Sequence, residues 1–220
     1  MNKKVAVVLS GCGVFDGSEV YEAVITLLCL DKLDLKVQCF APDIQQMHVV
    51  DHLNGNINEN DTRNVLVESA RLVRGDIKNL AEAREEDFDA VLIPGGFGAA
   101  KNLSNFSTEG PNLLLNEDLK YFVQAMHRAK KPVGAMCIAP AMVGILFGKG
   151  AVFTIGNDKS TAESIEKTGA IHKICGVDEI CIDEDNILIT TPAYMLANRI
   201  SEAAAGIEKL VVAVYARIKH

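Results

Sequence analysis

The sequence predicts an α/β protein built on a mostly parallel sheet, and three observations carry that expectation. Short runs apolar on both faces recur along the chain: Lys4 to Ser10, Lys36 to Ala41, Ala90 to Pro94 and Pro132 to Cys137. Such runs are strands covered from both sides rather than half-exposed ones. Helical patterns alternate with them, and parallel neighbours need such crossovers, which are right-handed. Finally, the runs stop abruptly, at Gly11, Pro42 and Gly95-Gly96, or turn almost at once into a helix, as after Cys137.

Taken in order, KVAVVLS is the first strand, followed by a turn holding Gly11, Gly13 and Gly17 and a helix from Ser18 to Leu30. Asp16 followed three residues later by Glu19 fits a capping box for that helix. KVQCFA is the second strand, and Asp43 to Glu86 is less regular, with a helix from Thr62 to Val73 and a polar loop or flap at Asn54 to Asp61. AVLIP is the third strand. An amphipathic helix from Glu117 to Arg128 precedes the fourth, PVGAMC, and a further helix runs from Pro140 to Phe147 with its proline in the first turn. Ala151 to Ile155 reads as a strand, Ile180 to Asp183 and Ile187 to Thr191 as a hairpin, and Ile200 to Ile218 as a closing helix. No repeat, low-complexity tract or linker divides the chain, so residues 1–220 are expected to form one domain.

Composition narrows the function. The 220 residues are 49% hydrophobic and 23% charged, and no apolar run reaches the ~20 residues of a membrane span. A net charge of -7, with no cluster of Lys and Arg and no Trp, lacks the electrostatic footprint of a nucleic-acid binder. Neither membrane nor nucleic acid is therefore an expected partner. The six cysteines form no C-x-x-C pair and read as reduced thiols, and the short apolar run after Lys4 reads as a strand rather than a signal peptide. A cytoplasmic location follows as an expectation.

In open parallel sheets ligands sit beyond the carboxyl ends of the strands. That directs attention to Gly11 to Gly17, Pro94 to Gly98, Cys137 to Pro140 and Thr191 to Tyr194. The glycine turn imitates a dinucleotide fingerprint, but its third glycine comes one residue late and Asp43 lies beyond Pro42, away from a ribose-binding position. Cys137 ends a strand just before a helix, an elbow that forces a strained conformation, projects the side chain into the crevice and surrounds it with backbone N–H groups. The helix dipole is expected to lower its pKa; the alternative is a buried core cysteine, the role assigned to Cys29, Cys39, Cys175 and Cys181. Glu22 lies on a helix apolar nearly all round, which raises a carboxyl pKa and suits it to proton transfer; the alternative is a solvated acid at a helix N-terminus. Backbone N–H groups at Gly95, Gly96 and Ile138 are candidates for an oxyanion hole. Gly11, Cys12 and Pro192 are candidates to line the site, and His172 is the one histidine that a loop could carry to it, the alternative being a structural histidine. No His, Cys and Asp grouping has metal-ligand spacing, so no metal is expected.

Ala135-Met136-Cys137-Ile138-Ala139-Pro140 and Gly17-Ser18-Glu19-Val20-Tyr21-Glu22 resemble the nucleophile elbow and partner-glutamate helix of the PfpI-like branch of the class I glutamine amidotransferase-like superfamily. In that match Glu22, not Glu19, takes the place paired with the thiolate. Leu9 to Glu19, Pro94 to Ser104 and Thr191 to Leu196 resemble the ElbB-type family, linked to isoprenoid biosynthesis and described as glyoxalases, and the resemblance spans essentially the whole chain. It implies a flavodoxin-like three-layer sandwich, a homodimer, and cofactor-free turnover of a small 2-oxoaldehyde by Cys137 and Glu22.

Two departures stand against a wider carry-over. No His-x-Glu dyad of the amidotransferases occurs between Thr190 and Ile200, which argues against glutamine hydrolysis, and Ile138 follows the cysteine where many relatives have histidine. Glu22 and His172 are thus the candidates for a second general base. The alternative function is a cysteine-based redox sensor or regulatory module associated with isoprenoid metabolism, with incidental aldehyde activity.

Overall fold

The computed structural model describes residues 3–219. The chain runs β1 (Lys4–Val8), α1 (Val20–Lys32), β2 (Lys36–Ala41), α2 (Val65–Ser69), β3 (Ile77–Asn79), β4 (Ala90–Ile93), α3 (Gly98–Lys101), α4 (Phe106–Glu109), α5 (Glu117–Arg128) and β5 (Val133–Met136). It continues with α6 (Val143–Phe147), β6 (Val152–Phe153), α7 (Lys159–Glu166), β7 (Ile171–His172), β8 (Cys181–Asp183), β9 (Leu188–Thr191) and α8 (Ile200–Tyr215). Seven strands form one sheet in the order β3-β2-β1-β4-β5-β9-β8, parallel throughout except for β8 against β9. Helices flank it, giving the expected α/β, flavodoxin-like architecture.

The central strands are buried on both faces, from Val5 to Val8, Ala90 to Ile93 and Val133 to Met136. Helix α5 shows how the flanking layer attaches: Leu119, Phe122, Val123 and Met126 fall at helical spacing and are all buried, and Asn116 caps the helix by accepting from the Leu119 N–H at 3.0 Å. Phe122 packs with Phe88 edge-to-face at 6.0 Å. On the other face α8 lies so close to β5 that a Cβ on Gly134 would stand 2.9 Å from Leu210 Cδ2.

The chain leaves β1 towards β2 and β3, then returns to the far side of β1 for β4. The strand order thus reverses between β1 and β4, the position beside which doubly wound sheets hold ligands.

Several elements differ from the sequence expectation. Helix α1 begins at Val20, because the Ser18 hydroxyl is drawn inward to accept from the Ser10 N–H at 2.8 Å. The cap is Glu19 itself, accepting from the Glu22 N–H at 2.7 Å, while Asp16 turns away to accept from the Val50 N–H at 2.7 Å. The expected Thr62 to Val73 helix shrinks to α2, capped by Asn64 and followed by turns through Arg74 at φ +57° and Gly75 at φ +86°. Pro140 lies in a 3-10 turn, Ala139–Met142, before α6, instead of opening one continuous helix. The strand expected at Ala151 to Ile155 contributes only β6, which pairs with β7 in a separate two-stranded sheet. The β8–β9 hairpin forms as expected, closed by Asn186 donating to Asp183.

Candidate active site

Three loops at the carboxyl ends of the strands converge on one carboxyl group carried by α1. Glu22, in the first turn of α1, has no solvent exposure; its Oε2 accepts from the Gly95 N–H at 2.8 Å and its Oε1 from the Tyr194 N–H at 3.1 Å. One turn further along α1, Thr26 donates to the Met136 sulfur at 3.7 Å, which ties the helix to the end of β5 directly before Cys137. Helix, β4 loop, β5 elbow and β9 loop are thus locked together around Glu22.

Cys137 is buried, at 6% exposure, with φ +59°, the left-handed conformation that the elbow reading predicts for a non-glycine residue. Its N–H donates to Thr191 O at 3.1 Å, and the neighbouring Gly96 and Ile138 N–H groups favour the charged form of its sulfur. A Cβ on Gly95 would stand 2.9 Å from Cys137 Sγ and 2.8 Å from Glu22 Oε2, so thiol and carboxyl meet over the bare face of this glycine. Gly96, at φ +92°, is equally constrained, because a Cβ there would lie 2.3 Å from Glu19 N and Gly17 O.

Burial dominates the electrostatics. Desolvation pushes the Glu22 pKa up to about 7, opposed by the Tyr194 N–H bond and assisted by the nearby Glu19 charge. Desolvation also raises the Cys137 thiol well above its ordinary value, helped by the Glu22 charge, while the Gly96 and Ile138 N–H groups pull the other way. This corrects the expectation of a thiol lowered by the helix dipole. The peptide groups next to the elbow do favour thiolate, but a buried anion beside the Glu22 carboxylate is worse solvated than in water. The pair tolerates one negative charge, and a proton passing from sulfur to Glu22 leaves that charge on sulfur.

The other predicted residues separate into two groups. Gly95, Gly96 and Ile138 join Cys137 and Glu22, although the Gly95 N–H is occupied by Glu22 and leaves Gly96 and Ile138 to face sulfur. Pro192 precedes the turn whose Tyr194 N–H reaches Glu22. Gly11 and Cys12 belong to the first turn: the Gly11 N–H donates to Ser69 Oγ at 2.8 Å, and the thiol of Cys12 is influenced by Glu68 and Arg71. His172 lies in the small sheet, its ring 5.2 Å from Phe153 and its Nε2 accepting from the Ile155 N–H at 3.4 Å. It has no hydrogen bond to Cys137 or Glu22.

In the glycine turn, four of the donors that a phosphate cradle would use are already taken. The N–H groups of Gly11, Gly13, Phe15 and Gly17 bond to Ser69, Ser18, His52 and Gly13 respectively. Among the described residues, no group of three or more His, Cys, Asp or Glu side chains is placed to hold a metal ion.

Two features escaped the sequence. Tyr194 was within the post-strand segment already singled out, but nothing local shows that its N–H meets Glu22, and its ring stands 6.1 Å from that of Tyr21. The flap after β2 packs over the first turn, His52 lying 5.0 Å from Phe15, and supplies Val50 and Ile57 to a cavity of about 610 Å³. Ile138 and Met195, next in sequence to Cys137 and Tyr194, line the same cavity.

A family model described as DJ-1/PfpI matches residues 3–191. The chain belongs to the DJ-1/PfpI family. Among DJ-1/PfpI-like relatives, the ES1 protein homolog of Rattus norvegicus, named as mitochondrial, is 42% identical over 217 residues, covering 94% of this chain and 81% of that protein. The human glutamine amidotransferase-like class 1 domain-containing protein 3, also named as mitochondrial, matches to the same identity and coverage. The cytoplasmic expectation therefore finds no support in these names; no helix among the described residues is long and apolar enough to cross a membrane. A solved isoprenoid biosynthesis protein with an amidotransferase-like domain from Ehrlichia chaffeensis is 36% identical, covers 99% of this chain and 100% of its own, and superposes with a TM-score of 0.92. The DJ-1β of Drosophila melanogaster, 17% identical with a TM-score of 0.57, shares the fold.

Proposed function

We propose that this DJ-1/PfpI protein is an ElbB-type, cofactor-free glyoxalase converting glyoxal or methylglyoxal to the 2-hydroxy acid. One observation carries the reading: a buried thiol and a carboxyl with a pKa of about 7 converge over Gly95, with two N–H groups aimed at the sulfur. A base poised near neutrality beside a nucleophile is the arrangement that covalent catalysis at a carbonyl needs.

The Cys137 sulfur adds to the aldehyde carbon as its proton passes to Glu22. The oxyanion is held by the Gly96 and Ile138 N–H groups, then takes that proton to give a hemithioacetal. Glu22, again a carboxylate, removes the proton from the former aldehyde carbon to form an enediol and returns it to the neighbouring carbon, while the hydroxyl proton on the first carbon passes to the oxygen of the second. The first carbon is oxidised to a thioester as the second is reduced, so no external electron carrier enters. Water cleaves the thioester, releasing the hydroxy acid and restoring the thiol.

The redox-sensor alternative is less well supported, because burial and a raised thiol pKa both oppose oxidation. A homodimer accompanies the proposal. Helix α1 turns Val20, Val24 and Leu28 outward at successive turns, an exposed apolar strip that a second copy of the chain would cover.

The deciding experiment measures glycolate formed from glyoxal in amine-free buffer by wild type, Cys137→Ser and Glu22→Gln. Losses of ~100-fold or more in both variants are expected. Turnover by Cys137→Ser equal to wild type overturns the reading.

A further inference from the structure

The cavity beside the elbow is far larger than glyoxal or methylglyoxal. It measures about 610 Å³, whereas a molecule of that size displaces only a few water volumes of roughly 30 Å³ each. Pockets of several hundred Å³ ordinarily bury ligands many atoms larger. Its walls are mainly apolar, with Phe15 from the first turn, Val50 and Ile57 from the flap, Phe97 after β4, and Ile138 and Met195 beside the candidate catalytic pair.

The sole charged residue lining it, among the described residues, is Lys101 of α3. Its ammonium donates to Phe15 O at 2.7 Å and lies 5.9 Å from the Phe97 ring centroid. No carboxylate among the described residues comes within 4.0 Å of it. The nearby buried Asp16 instead accepts from the Val50 N–H and faces His52 at 3.8 Å. An ammonium has three donors, so two remain for a ligand. Burial lowers the Lys101 pKa, and an anion beside it would offset that desolvation.

We infer that the natural substrate class is a 2-oxoaldehyde with an extended apolar body ending in a carboxylate: the aldehyde reaches Cys137 past Ile138, the body fills the cavity, and Lys101 holds the carboxylate. The inference rests on the proposed glyoxalase chemistry for its reactive end and on the cavity alone for recognition. Atom balance is unchanged, since only the substituent on the ketone carbon grows.

Three probes test it: methylglyoxal, phenylglyoxal and 4-carboxyphenylglyoxal, each assayed as kcat/KM. Wild type is expected to gain about tenfold at each step, the second gain being that of one charge-assisted contact. In Lys101→Met the ratio between the last two probes should fall from about ten to about one, and Lys101→Arg should restore it. In Ile57→Trp, which narrows the cavity at its exposed wall without touching Lys101, both aromatic probes should lose relative to methylglyoxal. A flat series in wild type, or a ratio indifferent to Lys101→Met, overturns the inference while leaving the glyoxalase reading intact.

If no oxoaldehyde is turned over, the glyoxalase reading fails first, and calorimetry with mandelate and 4-carboxymandelate decides recognition. Tighter binding of the carboxylated acid that disappears in Lys101→Met supports the pocket assignment. Equal binding, or none, overturns it.

Discussion

The backbone N–H of Tyr194 donates to Glu22 Oε1 at 3.1 Å across 172 residues of chain. The preceding residue, Ala193, adopts φ +45°, and Cys137 on the other side of the carboxyl adopts φ +59°. Two left-handed non-glycine residues thus flank one buried acid. Such conformations cost on the order of 1–3 kcal/mol each and persist where the surrounding packing compels them. Here they aim a peptide N–H at Glu22 and a thiol at the same crevice.

Activity should rise with pH through a single ionisation near 7. Glu22 must be unprotonated to accept the thiol proton, and its pKa is pushed up to about 7. A pH profile of kcat/KM for glyoxal is the check. Glu22→Gln should lose this limb along with most of its turnover; the same inflection in that variant assigns it elsewhere.

Stability should fall as pH rises over the same range. Glu22 has an ordinary value of 4.5 and about 7 when folded, so between those pH values the folded state holds a proton that the unfolded chain has lost. The penalty is absent below about 4.5 and complete above about 7, on the order of 3 kcal/mol. Relative to wild type, Glu22→Gln should therefore gain roughly 6–12 °C in Tm between pH 4.5 and 7.5. A difference that stays constant with pH refutes the buried, raised carboxyl.

Gly95→Ala should damage the pair directly. The new Cβ would stand 2.3 Å from Cys137 Cβ and 2.8 Å from Glu22 Oε2, forcing them apart. We expect a loss of ~1–3 kcal/mol in denaturant unfolding and a fall in glyoxal turnover of ~100-fold. Normal turnover in a folded variant would show that the two groups need not meet over this glycine.

Charge placed on the α1 strip should separate the proposed dimer. Val24→Lys with Leu28→Glu disrupts the exposed apolar face and leaves Glu22, on the buried face, in place. Analytical ultracentrifugation should show dimer for wild type and monomer for the double variant. A monomeric wild type removes the proposal.

Periodicity and punctuation made the central strands, α1, α5, α8 and the β8–β9 hairpin legible, because their apolar spacing reflects burial that any parallel α/β packing demands. Short elements were not legible. Helices α3 and α4 are four residues each and β3 three, too brief for a period to register. Asp158, which caps α7 by accepting from the Thr161 N–H at 2.7 Å, was a usable start signal that went unused. Asp16 misled because its spacing to Glu19 imitates a capping box, whereas the flap offered its carboxylate the Val50 N–H instead.

By itself the sequence determined which residues stand at strand ends: the elbow at Cys137, the glycines after β4, and Glu22 on a helix apolar nearly all round. These are local properties of spacing and side-chain type. Only the tertiary structure decided that Glu22 is shared between Gly95 and Tyr194, that burial raises the Cys137 thiol, that His172 stands apart from the pair, and that the flap and Lys101 line one large cavity. Desolvation and long-range hydrogen bonds depend on what the rest of the chain brings alongside a residue, and no window of neighbouring sequence contains that information.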